Sequence, residues 1–193
     1  RDGAVHLVVP EVRFWTCVVL DYNAATPLPR ALTLKDKTDT FLQDWHVAGP
    51  FPDDGQLSTF DTPQAPEKGV DLQATYEGAE GQTIAWHRNQ PADAPKLGRF
   101  RLDIRELLKL PNMPGSAYAY ATVTAAAERE VFFFFGYDEV IRIWVNGTEV
   151  FQAGEPAELS VDAAKVKVTL RQGKNEILVK IGQRWLAWSL ALR

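Results

Sequence analysis

The feature that most constrains this chain is Asn146-Gly147, set between the apolar runs Val140–Val145 and Thr148–Phe151. A two-residue Asn-Gly loop takes positive φ at both positions, which matches the twist of two paired strands. One hairpin is marginal alone and needs further strands to bury a face. Those strands are legible. Ala117–Thr124 alternates small and larger side chains at period two, and Val131–Phe135 is a continuous apolar run, as in a strand covered on both faces. Val166, Val168 and Leu170 alternate with Lys165, Lys167 and Thr169; after Gln172-Gly173-Lys174 the pattern resumes at Ile177, Val179 and Ile181. That spacing predicts a second hairpin. The last run places Leu186, Trp188, Leu190 and Leu192 on one face. Helix signals shrink to Ile104–Leu110, stopped by Pro111. Short strands at turn-marked intervals predict an all-β sandwich or barrel.

The chain of 193 residues is long enough for one good core, or for one domain and part of a second. Residues 1–22 read as two short strands, Ala4–Val9 and Val12–Leu20, of an upstream β-sandwich, because two strands do not make a domain. Residues 23–42 read as a linker, from Asn23 through the mixed-charge stretch Leu34-Lys-Asp-Lys-Thr-Asp39. Residues 43–193 read as the main module. The chain opens on Arg1 without a signal-peptide pattern, and the expectation is an internal or C-terminal piece of a larger protein.

A net charge of −4 gives no electrostatic support for nucleic acid or an anionic membrane as partner. No apolar run approaches the roughly 20 residues of a membrane helix. Cys17 lies alone in an apolar run and reads as a small buried hydrophobe. His6, His46 and His87 stand apart with no ligand spacing, so no metal site and no cofactor is expected. The serines lie in no nucleophile-elbow context, and the carboxylates read as turn formers. No catalytic residue is expected.

Several motifs resemble the galactose-binding-like jelly-roll domains of bacterial carbohydrate-processing enzymes. Trp45-His-Val-Ala-Gly-Pro-Phe-Pro52, then Pro66-Glu67 and Val70-Asp71-Leu72, resemble the opening of such a domain. Phe135-Gly-Tyr-Asp138, Ile143-Trp-Val-Asn-Gly147, Leu170-Arg-Gln-Gly-Lys-Asn175 and Ile177-Leu-Val-Lys180 resemble its second half. Family members often carry an Arg after the Trp-x-Asn-Gly hairpin, where this chain has Glu155-Pro-Ala-Glu-Leu159.

The resemblance implies an antiparallel β-sandwich jelly roll over 43–193. It further implies a non-catalytic carbohydrate-binding or accessory module of a secreted or periplasmic polysaccharide-degrading enzyme. The partners would be a polysaccharide or oligosaccharide and an upstream catalytic domain; the alternative is a structural domain that packs on that catalytic module and binds no glycan.

Sugar recognition needs a flat aromatic face with polar groups beside it. Trp86, followed by His87-Arg88-Asn89-Gln90, Tyr137 beside Asp138 and Glu139, and Trp185 after Gln183-Arg184 fit that description. The expected ligand-binding set is therefore Trp86, Tyr137, Asp138, Arg184 and Trp185. Asp138 also suits a structural calcium, though turn closure explains it as well. Trp45, Trp144 and Trp188 read as core. Asn146-Gly147-Thr148 matches a glycosylation sequon, but its turn role already accounts for Asn-Gly.

Overall fold

A computed structural model of the chain describes residues 41–89, 101–185 and 187–193. The expectations for residues 1–40, Cys17 included, lie outside the described residues. Twelve strands are seen among those described, with one turn of α-helix, α1 (Ile104–Leu107). Asp103 caps α1 by accepting the Glu106 amide at 3.0 Å, as a short carboxylate at an N-cap does.

Two antiparallel sheets face each other. The larger has the order β4 (His87–Asn89), β1 (Trp45–Phe51), β6 (Gly115–Ala125), β11 (Gly173–Gln183), β8 (Glu139–Val145), β9 (Thr148–Ala157). The smaller runs β10 (Ala164–Leu170), β7 (Arg129–Tyr137), β12 (Ser189–Leu192), β5 (Leu102–Asp103). A two-stranded ribbon, β2 (Thr75–Glu77) with β3 (Thr83–Ala85), lies apart from both in hydrogen bonding. The expected all-β antiparallel jelly-roll sandwich is what the chain forms.

Period-two alternation decides which residues enter the space between the sheets. Trp45, Val47, Ala117, Ala119, Ile141, Ile143, Ile177 and Val179 point inward from the larger sheet; Phe133, Phe135, Val168, Trp188, Leu190 and Leu192 meet them from the smaller. Trp45 and Trp188 are core, as expected, and their indole N–H groups donate to Leu42 O and Ile181 O. Satisfying that donor is what lets a buried tryptophan count as core. Phe41 and Leu42, read from sequence as the end of a linker, belong to the sandwich: Phe41 is buried and the Leu42 amide donates to Leu192 O at 2.8 Å.

The Asn146-Gly147 turn forms as expected, with φ of 52° and 79° joining β8 to β9. The second expected hairpin does not form. β10 pairs with β7 and β11 with β6 and β8, so Gln172-Gly173-Lys174 carries the chain from one sheet to the other. Asn175 fixes this corner: its amide accepts the Arg171 N–H and donates to Arg171 O and Gly173 O. Periodicity reports which side of a strand is buried, and the strand it pairs with is a separate, long-range matter. The Val131–Phe135 run also differs from expectation. Phe133 and Phe135 are core, whereas Phe132 is 51% exposed on the outer face of the smaller sheet.

Candidate functional site

The outer face of the larger sheet carries a second, separate cluster that includes Ala48, Phe51, Tyr118, Tyr120 and Leu178. It is roofed by the segment between β1 and β2, here called the strap, and by the ribbon. Asp53 orders the start of the strap by accepting the amides of Gly55, Leu57 and Thr59. Further on, Ala65–Lys68 forms a 3₁₀ turn. Pro66 suits its first turn, and Glu67 folds back to accept the Gln64 amide at 3.3 Å.

Register across the sheet aligns Tyr120 with Leu178 and Leu178 with Trp144, on three neighbouring strands. These three form the floor of a cleft of about 130 Å³. Pro66–Val70 of the strap is its wall, and Gly147 and Glu176 close one end. Trp144, read from sequence as core, is half-buried and lines this cleft, because it is out of phase with its core neighbours Ile143 and Val145.

The carboxylate of Glu176 accepts from Lys174 Nζ at 3.0 Å. That bond holds the Glu176 carboxyl below its ordinary range and raises Lys174. The Tyr120 phenol is raised, first by burial and then by the Glu176 charge. Trp86 continues the aromatic surface, edge-on to Tyr120 at 6.4 Å, with its indole N–H donating to Tyr76 OH at 3.1 Å.

Beneath the wall lies Lys180, fully buried. Its ammonium donates to Phe60 O, to Thr62 O at 2.9 Å and to Glu67 Oε1 at 3.1 Å. The same Glu67 oxygen accepts the Tyr118 hydroxyl. Desolvation lowers the Lys180 ammonium below the usual lysine range, and Glu67 opposes that shift. Burial first, and then the hydrogen bond to Glu67, push the Tyr118 phenol far up. Arg142, next to Lys180 across the sheet, donates to Asp61 at 2.6 Å.

The five residues picked from sequence fall in two places. Trp86 lies beside the cleft floor. Arg184, Trp185, Tyr137 and Asp138 gather near the start of β8, where Arg184 Nε donates to Glu139 at 3.0 Å. Glu139 is five residues from Trp144, roughly 17 Å along one strand. Trp185 is 59% exposed. Tyr137 is buried against Phe135, their rings 6.3 Å apart, so it packs beneath the surface. Asp138 is buried as well; its Oδ1 accepts the Leu159 amide at 2.9 Å, tying two distant segments together instead of closing its own turn. Burial raises its carboxyl, and the Leu159 bond offsets part of that.

Tyr120, Leu178 and Glu176 were missed in the sequence. The available signal was that they occupy the out-of-phase positions of β6 and β11, but a solvent-facing position and a cleft floor look alike until the strap is placed. Asn146 donates to Asn175 Oδ1 at 2.9 Å, so its amide serves the sheet corner. Among the described residues no group of three or more His, Cys, Asp or Glu could hold a metal, and no helix is long and apolar enough to cross a membrane.

Strand order, the two facing layers and the roofed outer face define a jelly-roll β-sandwich of the galactose-binding-like kind. Solved structures similar to it include a family 35 carbohydrate binding module from an environmental isolate, at 16% identity and a TM-score of 0.32, covering 44% of this chain and 69% of that one. A family 35 carbohydrate binding module from Clostridium thermocellum is 22% identical with a TM-score of 0.28, over 40% of this chain and 69% of its own. A beta-glucuronidase from Faecalibacterium prausnitzii is 16% identical with a TM-score of 0.39, over 77% of this chain and 22% of the enzyme. No family model and no curated protein matches the sequence.

Proposed function

We propose that this chain is a non-catalytic carbohydrate-binding or accessory module of a larger, secreted or periplasmic polysaccharide-degrading enzyme, and that it holds sugar in the cleft over Tyr120, Leu178 and Trp144. One observation carries the reading: a half-buried tryptophan and a tyrosine share an open floor with Leu178 between them, and charged groups stand at the edge. The C–H face of a pyranose can lie on such rings while Glu176 and Lys68 take its hydroxyls, the usual division of labour in small-molecule sites. The volume suits a single sugar ring.

The two carboxylates of the cleft do not suit glycoside hydrolysis, which needs one carboxyl with a raised pKa as proton donor. Lys174 holds Glu176 low, and Glu67 is engaged by Lys180 and Tyr118. Weak single-site binding still has use, because tethering raises the effective concentration of an attached catalytic domain near its polymer.

A second reading, a structural domain that packs on a catalytic module, is favoured by Phe132 on the outer face of the smaller sheet. Its ring lies 6.4 Å from that of Phe134. Affinity electrophoresis through mixed-linkage β-glucan, xylan, galactomannan and pectin separates the two. Retardation lost in Trp144→Ala and kept in Trp185→Ala supports the cleft; the reverse pattern moves the site to the Trp185 rim. Free mobility in every gel leaves the structural reading.

A further inference from the structure

Resting on the cleft reading above, we infer that Lys180 is the positioning residue of the sugar site: it touches no ligand, but it sets the Pro66–Gly69 wall over the Tyr120–Leu178–Trp144 floor.

Three observations converge on it. Its ammonium is completely buried and makes all three of its bonds to the strap, to Phe60 O, Thr62 O and Glu67 Oε1. Three donors is the full capacity of a lysine. The ring of Phe60 also faces it, with the nitrogen 5.2 Å from the ring centre, as does Tyr118 at 5.6 Å. Finally, Lys180 is two residues from Leu178 on one face of β11, so the clamp and the floor share a rigid strand.

An apolar residue would fill this position at less desolvation cost, since a buried ion pair seldom beats well-packed hydrophobes. What an apolar residue lacks is direction. Leu or Met at 180 would hold the strap anywhere along a greasy face, whereas an ammonium with two carbonyls and one carboxylate fixes the strap in one register. Glu67 carries that register into the site, because its backbone lines the cleft while its carboxylate is held by Lys180 and Tyr118.

The test is amide hydrogen exchange on the whole chain, wild type against Lys180→Met, alongside affinity electrophoresis in the same four polysaccharides. The expectation is local. The amides of Phe60, Thr62, Glu67 and Gly69, each bonded within the strap in the native fold, exchange faster by about tenfold or more, while β6 and β11 amides keep their protection. Retardation by the retained polysaccharide falls in parallel.

Unchanged strap exchange in folded Lys180→Met overturns the inference, and so does loosened exchange with full retardation. If Lys180→Met does not fold, Glu67→Gln, which keeps size and acceptor but removes the charge, is read by the same two measures. If wild type itself runs freely in all four gels, the sugar reading fails, and the exchange data still report whether Lys180 sets the wall.

Discussion

Lys180 and Glu67, separated by 113 residues, meet at 3.1 Å beneath the strap, and neither charge has more than slight contact with water. Each is the other's main compensation. Removing one partner leaves a buried, unpaired ion, which costs about 3–5 kcal/mol. Glu67→Ala is therefore expected to lower unfolding stability by about that amount in urea titration. The double variant Lys180→Met/Glu67→Leu should recover most of it, because no charge is then left buried. A double variant as unstable as the sum of both singles would show that the two residues do not act as a pair.

Alkaline pH should act on the same pair. Lys180 has a folded pKa below its ordinary 10.5. A base with a depressed folded pKa releases its proton earlier when folded, so its burial penalty fades as pH climbs from the folded value toward 10.5. Stability of the wild type relative to Lys180→Met should rise across that window. Above the ordinary tyrosine value of 10.0 the Tyr118 phenol works the other way, since only the unfolded chain ionises it. A wild-type-minus-variant difference that stays flat or falls below pH 10.0 would contradict the assignment.

Asp138 supplies an acid-side counterpart. Its folded carboxyl titrates above the ordinary 3.8, so the contribution of this group is fully present below 3.8 and is lost as pH rises through the folded value. Asp138→Asn keeps an acceptor for the Leu159 amide and removes the buried charge. It is expected to match or exceed wild-type stability at neutral pH, by up to about 1 kcal/mol. Thermal melts at pH 7 and pH 4 check this; a variant that melts well below wild type at pH 7 would mean that the carboxylate charge itself is needed.

Gly136 is a packing prediction. A Cβ there would sit 2.1 Å from Ser160 O, a backbone atom with little freedom to retreat. Gly136→Ala should cost about 1–3 kcal/mol through overpacking. Gly147→Ala meets nothing within 4 Å and loses only the ease of a positive φ, so its cost should be smaller, about 1 kcal/mol. Equal losses in chemical denaturation would show that crowding at Gly136 is relieved elsewhere.

Much of the sandwich is legible in the residues. Alternation at Ile141, Ile143 and Val145, or at Ile177, Val179 and Ile181, marks the inward face of a strand before any partner is known. Asn146-Gly147 fixes its own turn because the requirement for positive φ is local. The Gln172-Gly173-Lys174 corner is different. Its composition suits a hairpin, and only pairing with strands over forty residues earlier sends β10 and β11 into different sheets.

The candidate site was legible only in fragments. Trp86 was found because polar residues follow it, while Trp144 was assigned to the core from its place in a strand motif. Nothing in the local sequence distinguishes an outward position under open solvent from one under a strap.

The amino-acid order alone determined the all-β character, the inward face of most strands and the tight turn at Asn146-Gly147, since each depends on neighbours within a few residues. Tertiary structure alone decided that Tyr120, Leu178 and Trp144 share one floor and that a buried lysine holds a distant loop above them. The reason is physical: which strands pair, and what covers an outer face, are settled by contacts between residues far apart in the chain, and those leave no periodic mark in it.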